Sequence, residues 1–280
     1  MDRPVLAPGL RVLQRSRDEL QIGLRPELTL PTTEPVRRTL DHLARGEVVP
    51  PAVAAQGVLA ALRPVLVDRT ALDAGDLAPA DLAAVALAHP STFRARLAAR
   101  RDAVVAIADH LGAVDAAPLL AAAGVRSAAP GDRATAALVI RAGEVDREDL
   151  DPLVRDGVPH VLVRMVEGTA EVGPFVDPGR TACLRCLDAH RAVDDPRAPL
   201  LASRHARAAH DRRDGVAEPV DTALATLAVA WAVRDLVTHA EGDRPSTWSA
   251  TIRFPATLAP VTQTEWLRHP ACGCTWLADG

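Results

Sequence analysis

The chain has 280 residues, 48% of them hydrophobic, and a formal net charge of −4 at pH 7. This length allows about two domains with substantial cores, and the slightly acidic charge gives no general reason to expect nucleic acid as a partner. Arginine supplies all 32 positive charges and the sequence contains no lysine, so mechanisms that require a lysine are excluded.

The start of the chain and its most apolar stretch predict where the protein resides. The residues from Met1 to Pro4 lead into no apolar run of the length that an export signal needs, so a cytoplasmic, reducing location is expected. Polar residues interrupt 221–242 too often for a bilayer span, which takes about 20 apolar residues. No membrane partner is therefore expected.

Three short strands are expected near the N-terminus. Apolar and polar residues alternate over 10–13 and 20–24, which is the pattern of a half-buried strand. A third strand is expected over 28–30, because Pro31 ends the run.

Two helices follow these strands. Pro35 lies in the first turn of an amphipathic run that Gly46 ends, which predicts a helix between them. A second helix is expected over 52–62, and 66–67 would return as a wing or a final strand. The pattern predicts a small winged-helix module over 1–75.

The composition of the second helix decides between partners for this module. A recognition helix for DNA needs side chains that reach phosphates and base edges, and 52–62 carries no arginine before Arg63. A peptide or protein partner that pairs along a strand edge beside the helix fits better, and a packing or dimerisation module remains the alternative. The candidate peptide-binding residues are Leu28, Thr29, Leu30, Val58, Leu59 and Leu62.

An α/β domain is expected over 101–280, after a helical linker over 76–100 that is interrupted near His89-Pro90. Short apolar runs alternate with helical patterns, which indicates a sheet with crossover connections. The expected strands are 102–109, 134–140, 160–165 and 169–173, and the expected helices are 112–124 and 148–154.

The first turn between strand and helix of such a sheet is where glycines would cradle a nucleotide phosphate. Here the turn runs from Asp109 to Asp115 with Gly112 as its one glycine, and Asp115 places a negative charge in the first helical turn. Residues 126–130 offer no carboxylate for a ribose. ATP binding is therefore not expected, and His110 is interpreted as structural rather than as a catalytic base.

Four cysteines form two close pairs, Cys183 with Cys186 and Cys272 with Cys274, and 85 residues lie between the pairs. Two such pairs can complete a tetrahedral thiolate shell, so they predict a structural Zn²⁺ site. The alternatives are disulfides, free thiols and a redox dithiol. The expected reducing compartment disfavours disulfides, and a redox pair would leave the second pair unexplained.

The remaining sequence connects these pairs. Residues 191–213 are polar and are expected to form a solvated connector, although their arginines and histidines would also suit an acidic substrate. A long helix over 221–242 is expected to be buried against the sheet or at a dimer interface. Antiparallel strands over 248–254 and 261–266 would lead to the second cysteine pair.

The runs 173–188, His190-Arg191 and 269–274 resemble the ThiF/MoeB-type adenylating family. The similarity is to an actinobacterial branch identified as bacteriocin-type cyclodehydratases or leader-peptide-binding proteins of azole-forming peptide pathways. Residues 20–24 are similar to the winged-helix peptide-recognition element, the RiPP recognition element, that is fused to that branch. The resemblance implies a homodimer, an α/β fold of the Rossmann type and a structural zinc bound by the four cysteines.

The sequence also departs from that family. Active members hold ATP with a glycine-rich turn, an acidic residue and basic contacts, and members that relay a thioester need a further cysteine. The principal hypothesis is a catalytically silent zinc protein, a pseudoenzyme, that binds a peptide and presents it to another enzyme. The alternative is an ATP-dependent adenylating or cyclodehydratase-type enzyme with an atypical nucleotide pocket.

Overall fold

A computed structural model describes residues 3–25, 28–55, 57–73, 77–208, 216 and 218–274. The chain divides into two compact units, Met1–Ala98 and Ala99–Gly280. In the described residues, no helix is both long enough and apolar enough to cross a membrane.

The first unit contains two small antiparallel sheets. Its elements are β1 (Pro4–Leu6), β2 (Val12–Gln14), β3 (Glu19–Ile22), β4 (Thr29–Pro31), α1 (Glu34–Arg45), α2 (Val58–Leu62), β5 (Leu66–Asp68), α3 (Arg69–Asp73), α4 (Pro79–Ala88) and α5 (Phe93–Asp102), which extends past the unit boundary. β2, β3 and β4 form one sheet in that order, and β1 pairs with β5 in the other. Residues 66–67, which were expected to form a wing or a final strand, lie in β5 and pair with β1, and the winged-helix assignment stays a prediction.

Two apolar clusters stabilise this unit. Leu40 and Leu43 of α1 pack with Leu20 of β3 and Leu62 of α2, because α1 places its apolar residues at helical spacing on one face. The second cluster joins β1 and β5 to α4 and α5. Residues 76–100, predicted to be a linker, thus contribute Leu82, Val85, Ala86, Phe93 and Leu97 to a core.

The expected helix over 52–62 is wrong in its first half. The helix begins only at Val58, after Gly57 in the left-handed region at φ 77°. The cause is the hydroxyl of the buried Thr39, which lies 2.8 Å from the carbonyl of Pro35 and 3.1 Å from the carbonyl of Val53 and accepts from the amide of Ala55 at 3.1 Å. These bonds replace the helical bonds that the apolar sequence pattern implied.

The second unit is built on a seven-stranded mixed sheet. Its elements are β6 (Val104–Asp109), α6 (Ala117–Ala122), β7 (Arg126–Ser127), β8 (Ala136–Ala142), α7 (Arg147–Arg155), β9 (His160–Val166), β10 (Thr169–Val176), α8 (Leu184–Asp194), α9 (Ala198–Ala208), α10 (Thr222–Ala240), β11 (Ala250–Phe254) and β12 (Thr262–Glu265). Among the described residues the strand order is β12-β11-β10-β9-β8-β6-β7. The pairs among β7, β6, β8 and β9 are parallel, and the pairs from β9 to β12 are antiparallel.

Both faces of the sheet are covered. Leu138 and Ile140 of β8 face the cluster that contains α10, whereas Val139 between them faces the cluster that contains α7 and α8. This alternation is the two-residue period of a strand, and burial of both faces explains why the parallel strands read as continuous apolar runs.

Two further expectations for this unit need correction. The helix expected over 112–124 is confined to α6, because 110–116 forms a loop held by two carboxylates. The connector expected over 191–213 contains the helix α9, while its residues 209–213 lie outside the described part of the chain. The predicted strands and the long helix over 221–242 are present with shifted ends.

Candidate metal centre

The four cysteines converge on the N-terminus of α8. Cys183 is the N-cap residue of this helix, and the amide of Cys186 donates to the carbonyl of Cys183 at 2.9 Å, which curls the knuckle. Cys272 and Cys274 reach the same point from the described end of the chain, where the amide of Cys272 donates to the carbonyl of His269. The knuckle and the tail thus supply two sulfurs each.

The distances between the sulfurs fit a metal site and exclude disulfides. The Sγ atoms of Cys183 and Cys272 are 3.6 Å apart, those of Cys186 and Cys274 are 3.4 Å apart, and all four lie within 4.8 Å of one another. A tetrahedral thiolate site with metal–sulfur bonds of about 2.3 Å places neighbouring sulfurs about 3.8 Å apart. A disulfide would need about 2.05 Å. All four residues are buried, so the cluster could hold a metal ion such as Zn²⁺.

The thiols compete for one negative charge when no cation is present. Hydrogen bonds with Cys186 and Cys274, and then burial, raise the pKa of Cys183. The thiols of Cys183 and Cys274 in turn stabilise the thiolate of Cys186 and lower its pKa. A divalent cation would allow all four sulfurs to ionise, since a metal-bound thiol loses its proton.

Contacts outside the sulfurs attach the tail to α8. The ring Nε2 of His190 lies 2.8 Å from the carbonyl oxygen of Leu267. The guanidinium of Arg191 lies over the ring of Trp266, whose Nε1 donates to Thr251 on β11. The approach of the tail therefore depends on the same helix that carries the knuckle.

A buried charge network, which the sequence analysis missed, links α8 to the sheet. Arg147 makes two hydrogen bonds to Asp188 of α8, at 2.8 and 2.7 Å, and one to Glu144 at 2.8 Å. Arg164 on β9, 1% exposed, pairs with Glu144 at 2.9 Å and with Glu171. Burial alone would raise the pKa of Glu144, but the charges of Arg164 and Arg147 lower it to about 2. The one available signal was a charged residue in the apolar run of β9.

In a fold of this type a nucleotide would bind beyond the carboxyl ends of the parallel strands. The chain crosses from β6 to β7 on one side and then to β8 on the other, which creates a crevice beyond the carboxyl ends of β6 and β8. In this crevice Asp109 accepts from the amides of Leu111 at 2.7 Å and Gly112 at 3.1 Å. Asp115 accepts from the amide of Ala117 at 3.0 Å. These amides are thus bound by the chain's own carboxylates.

A cavity of about 590 Å³ at this edge is rich in carboxylates. Arg141 pairs with Asp149 at 2.7 Å and Arg207 pairs with Asp146 at 3.2 Å, so both arginines already have anionic partners. His110 borders the cavity. Its lining residues are His110, Arg141, Ala142, Glu144, Asp146, Asp149, Ala206, Arg207 and Glu218.

The predicted peptide-binding residues meet in the first unit but differ in exposure. Leu30, Val58 and Leu62 are buried, at 7%, 7% and 0% exposure, whereas Leu59 is partly exposed. β4 is an edge strand among the described strands. Residue 29 is also partly exposed and lies on that edge, next to Leu28.

Comparisons with known proteins show the fold. No protein-family model and no curated protein matches this chain. The structure of the heterocyclase TruD has a TM-score of 0.69 at 16% identity and covers 98% of this chain but 42% of its own. Escherichia coli MccB with succinimide has a TM-score of 0.62 at 11% identity, covering 98% of this chain and 99% of its own. The microcin C7 biosynthetic enzyme MccB in complex with N-formylated MccA has a TM-score of 0.61 at 12% identity, covering 97% and 99%.

Proposed function

We propose that this chain is a catalytically silent, zinc-binding recognition protein of a peptide-modification pathway. In this proposal the first unit binds a peptide, the second unit is stabilised by Zn²⁺ at the four cysteines, and another protein performs the chemistry. The two cysteine pairs would stay reduced in a compartment such as the cytoplasm. The protein would form a homodimer.

The shared fold supports a role in peptide modification. MccB has been solved in complex with MccA and also with ATP, and its fold extends over 97% of this chain. The chain spans less than half of the length of the heterocyclase.

The proposed lack of catalysis rests on the turn after β6, where backbone amides are already hydrogen-bonded to the carboxylates of Asp109 and Asp115. A phosphate that bound there would have to displace the carboxylates of Asp109 and Asp115 from the amides and would meet their negative charges. The carboxylate-rich cavity adds to this repulsion. The alternative, an adenylating enzyme with a rewired pocket, is favoured by the cavity volume of about 590 Å³ alone.

Thermal unfolding in the presence of ATP and Mg²⁺ separates the two functions. A nucleotide that binds the native state must stabilise it, so the proposal expects an unchanged melting temperature. Stabilisation by ATP together with ATP–pyrophosphate exchange in the presence of a peptide would establish the alternative instead.

The geometry of β4 supports the peptide site. Leu20 lies opposite Leu30, and the amide of Ile22 donates to the carbonyl of Leu28. Because alternate residues of an antiparallel pair form the ladder, Thr29 directs its N–H and C=O away from β3. An extended peptide can add to such an edge, and Leu59 on α2 is then positioned to contact its apolar side chains.

A peptide-display selection on the full chain tests this site. Leu59→Asp should lose selected peptides, because a carboxylate would replace an apolar contact, whereas Ala60→Asp on the exposed side of the same helix should retain them. Circular dichroism and metal content should be unchanged in both variants. Equal binding by the two variants, or selection of nucleic acid rather than peptide, would contradict the assignment.

A further inference from the structure

The segment from Asp243 to Ser249, between α10 and β11, is held in one conformation by a buried carboxylate. Asp235, 3% exposed, accepts from the backbone and hydroxyl of Ser246, both at 2.8 Å. It also accepts from the amide of Thr247 at 2.9 Å and from its hydroxyl at 2.5 Å. Four hydrogen bonds to one carboxylate fix the backbone beside which Arg244 and Trp248 lie.

β10 approaches the same segment closely. A Cβ atom at Gly173, which has φ 95°, would lie 2.3 Å from the carbonyl oxygen of Ala250 and 2.9 Å from the Cβ of Thr247. Glycine is therefore required at this position, and the close approach brings Phe175 next to Trp248. Their rings stack with centroids 6.1 Å apart. This stacking holds the Trp248 ring in place.

A cavity of about 390 Å³ opens beside this ring, at the C-terminal end of α10. The guanidinium of Arg180 lies over the Trp248 ring at 5.4 Å and pairs with Asp177, although Arg180 is 71% exposed and this pair is correspondingly weak. Arg244 is exposed and has no hydrogen-bond or ion-pair partner within the described part of the chain. The lining residues are Arg180, His239, Gly242, Asp243, Arg244 and Trp248.

His239 adds a ring N–H that can donate a hydrogen bond. Burial lowers the pKa of His239, and nearby Arg180 lowers it further while Asp177 acts in the opposite sense. This direction favours the neutral imidazole, which can donate through one ring nitrogen. Asp243 also borders the cavity, but its backbone belongs to the fixed segment and its side chain has an interaction of its own.

We propose that this cavity binds a phosphate group, with Arg180 and Arg244 pairing with its oxygens and His239 donating a hydrogen bond. The guanidinium groups of Arg180 and Arg244 both border the cavity, and guanidinium offers the planar, bidentate recognition that phosphate favours. Arg180 lies on the loop that leads from β10 to Cys183, and the other lining residues lie at the end of α10 and in the segment before β11, far along the chain from the turn after β6. It is independent of the peptide site and of the proposed catalytic silence.

Nuclear magnetic resonance of the full chain tests the proposal with inorganic phosphate as the probe. Phosphate should shift the indole N–H signal of Trp248, assigned with Trp248→Phe, while chloride at the same ionic strength should not. Arg244→Gln should weaken phosphate binding about tenfold, because a charge-assisted hydrogen bond is lost. Arg253→Gln, which removes an exposed arginine of β11 outside the cavity, should leave the affinity unchanged.

Several outcomes would overturn the site. They are an unmoved Trp248 signal, equal weakening by Arg253→Gln, or full affinity in both Arg180→Gln and Arg244→Gln. A phosphoserine peptide, tested in parallel, distinguishes a macromolecular phosphate from the free ion by binding more tightly than phosphate. An ATP titration repeated on Arg244→Gln separates the two sites, because binding at this cavity would be weakened about tenfold in the variant and binding at the turn after β6 would be unchanged.

Discussion

The two edges of the parallel strands in the second unit use charged and ionisable groups in opposite ways. At the amino-terminal edge, where His160 begins β9, four sulfurs face one point, and burial and mutual contact prevent all of them from ionising without a cation. At the carboxyl-terminal edge, Asp109 and Asp115 already satisfy the amides that could receive an anion. One group of ionisable side chains could hold a cation, and the other is already hydrogen-bonded to backbone amides. A shared fold therefore does not imply a shared reaction centre.

Removal of the metal should have the largest effect and tests the group of four cysteines. Cys183→Ser should lose the ion and about 5 kcal/mol or more of unfolding free energy, because metal binding and folding are coupled. Elemental analysis should give about one zinc per chain of wild type, and urea unfolding should report the loss. Zinc added back to chelated wild type should restore stability. A metal-free wild type of full stability would contradict the proposed zinc site.

Disruption of the buried charge network around Glu144 should have the next largest effect on the unfolding free energy. Glu144 has a pKa of about 2 in the folded chain against an ordinary 4.5, so its contribution is present above about pH 4.5 and is lost as the pH falls towards 2. The shift corresponds to about 3 kcal/mol. Glu144→Gln should therefore lower the unfolding free energy by about this amount near neutral pH.

The same variant provides the pH test. The difference in unfolding free energy between wild type and Glu144→Gln should shrink as the pH falls below about 4.5, because wild-type Glu144 is then partly protonated in the unfolded chain. Urea unfolding at several pH values measures this difference. A difference that does not change with pH would show that the pairing with Arg164 and Arg147 is not the cause.

Substitutions in the turn after β6 should have the smallest effect on the unfolding free energy. Asp115→Ala removes the bond to the amide of Ala117 and should cost about 1 kcal/mol, as the loss of a helix cap does. Asp156→Ala, at an exposed carboxylate after α7, should cost less. The double variant Asp109→Ala, Asp115→Ala frees three amides and should bind one more phosphate per chain than wild type by calorimetry. If it gains none, the carboxylates are not what keeps the turn from binding anions.

The sequence predicted those parts of the structure that depend on local patterns. The spacing of the cysteines in two close pairs predicted that all four thiols would meet at one point, and the four sulfurs do cluster. Apolar runs located β6, β8 and β9, since burial on both faces removes polar residues from a strand. His89-Pro90 correctly marked the break between α4 and α5.

What the sequence could not predict depends on contacts between distant residues. In the sequence Arg164 is an isolated charge in an apolar strand. Its partners Glu144 and Glu171 are 20 and 7 residues away, so no local pattern reveals the pairing. The pairing of β1 with β5 likewise joins residues at least 60 positions apart, and no local pattern encodes it. The homodimer and the role of Thr29 at the strand edge stay predictions.

The contacts of the Thr39 hydroxyl with Val53 and Ala55 have a consequence for the entropy of peptide binding. They fix 53–55 without regular secondary structure, directly before Gly57 and the helix that carries Leu59. A loop that is already ordered loses less conformational freedom when a ligand binds, so more of the contact energy remains as affinity. The amide of Ala55 should accordingly exchange slowly with deuterium in the free protein, and Thr39→Val should abolish that protection.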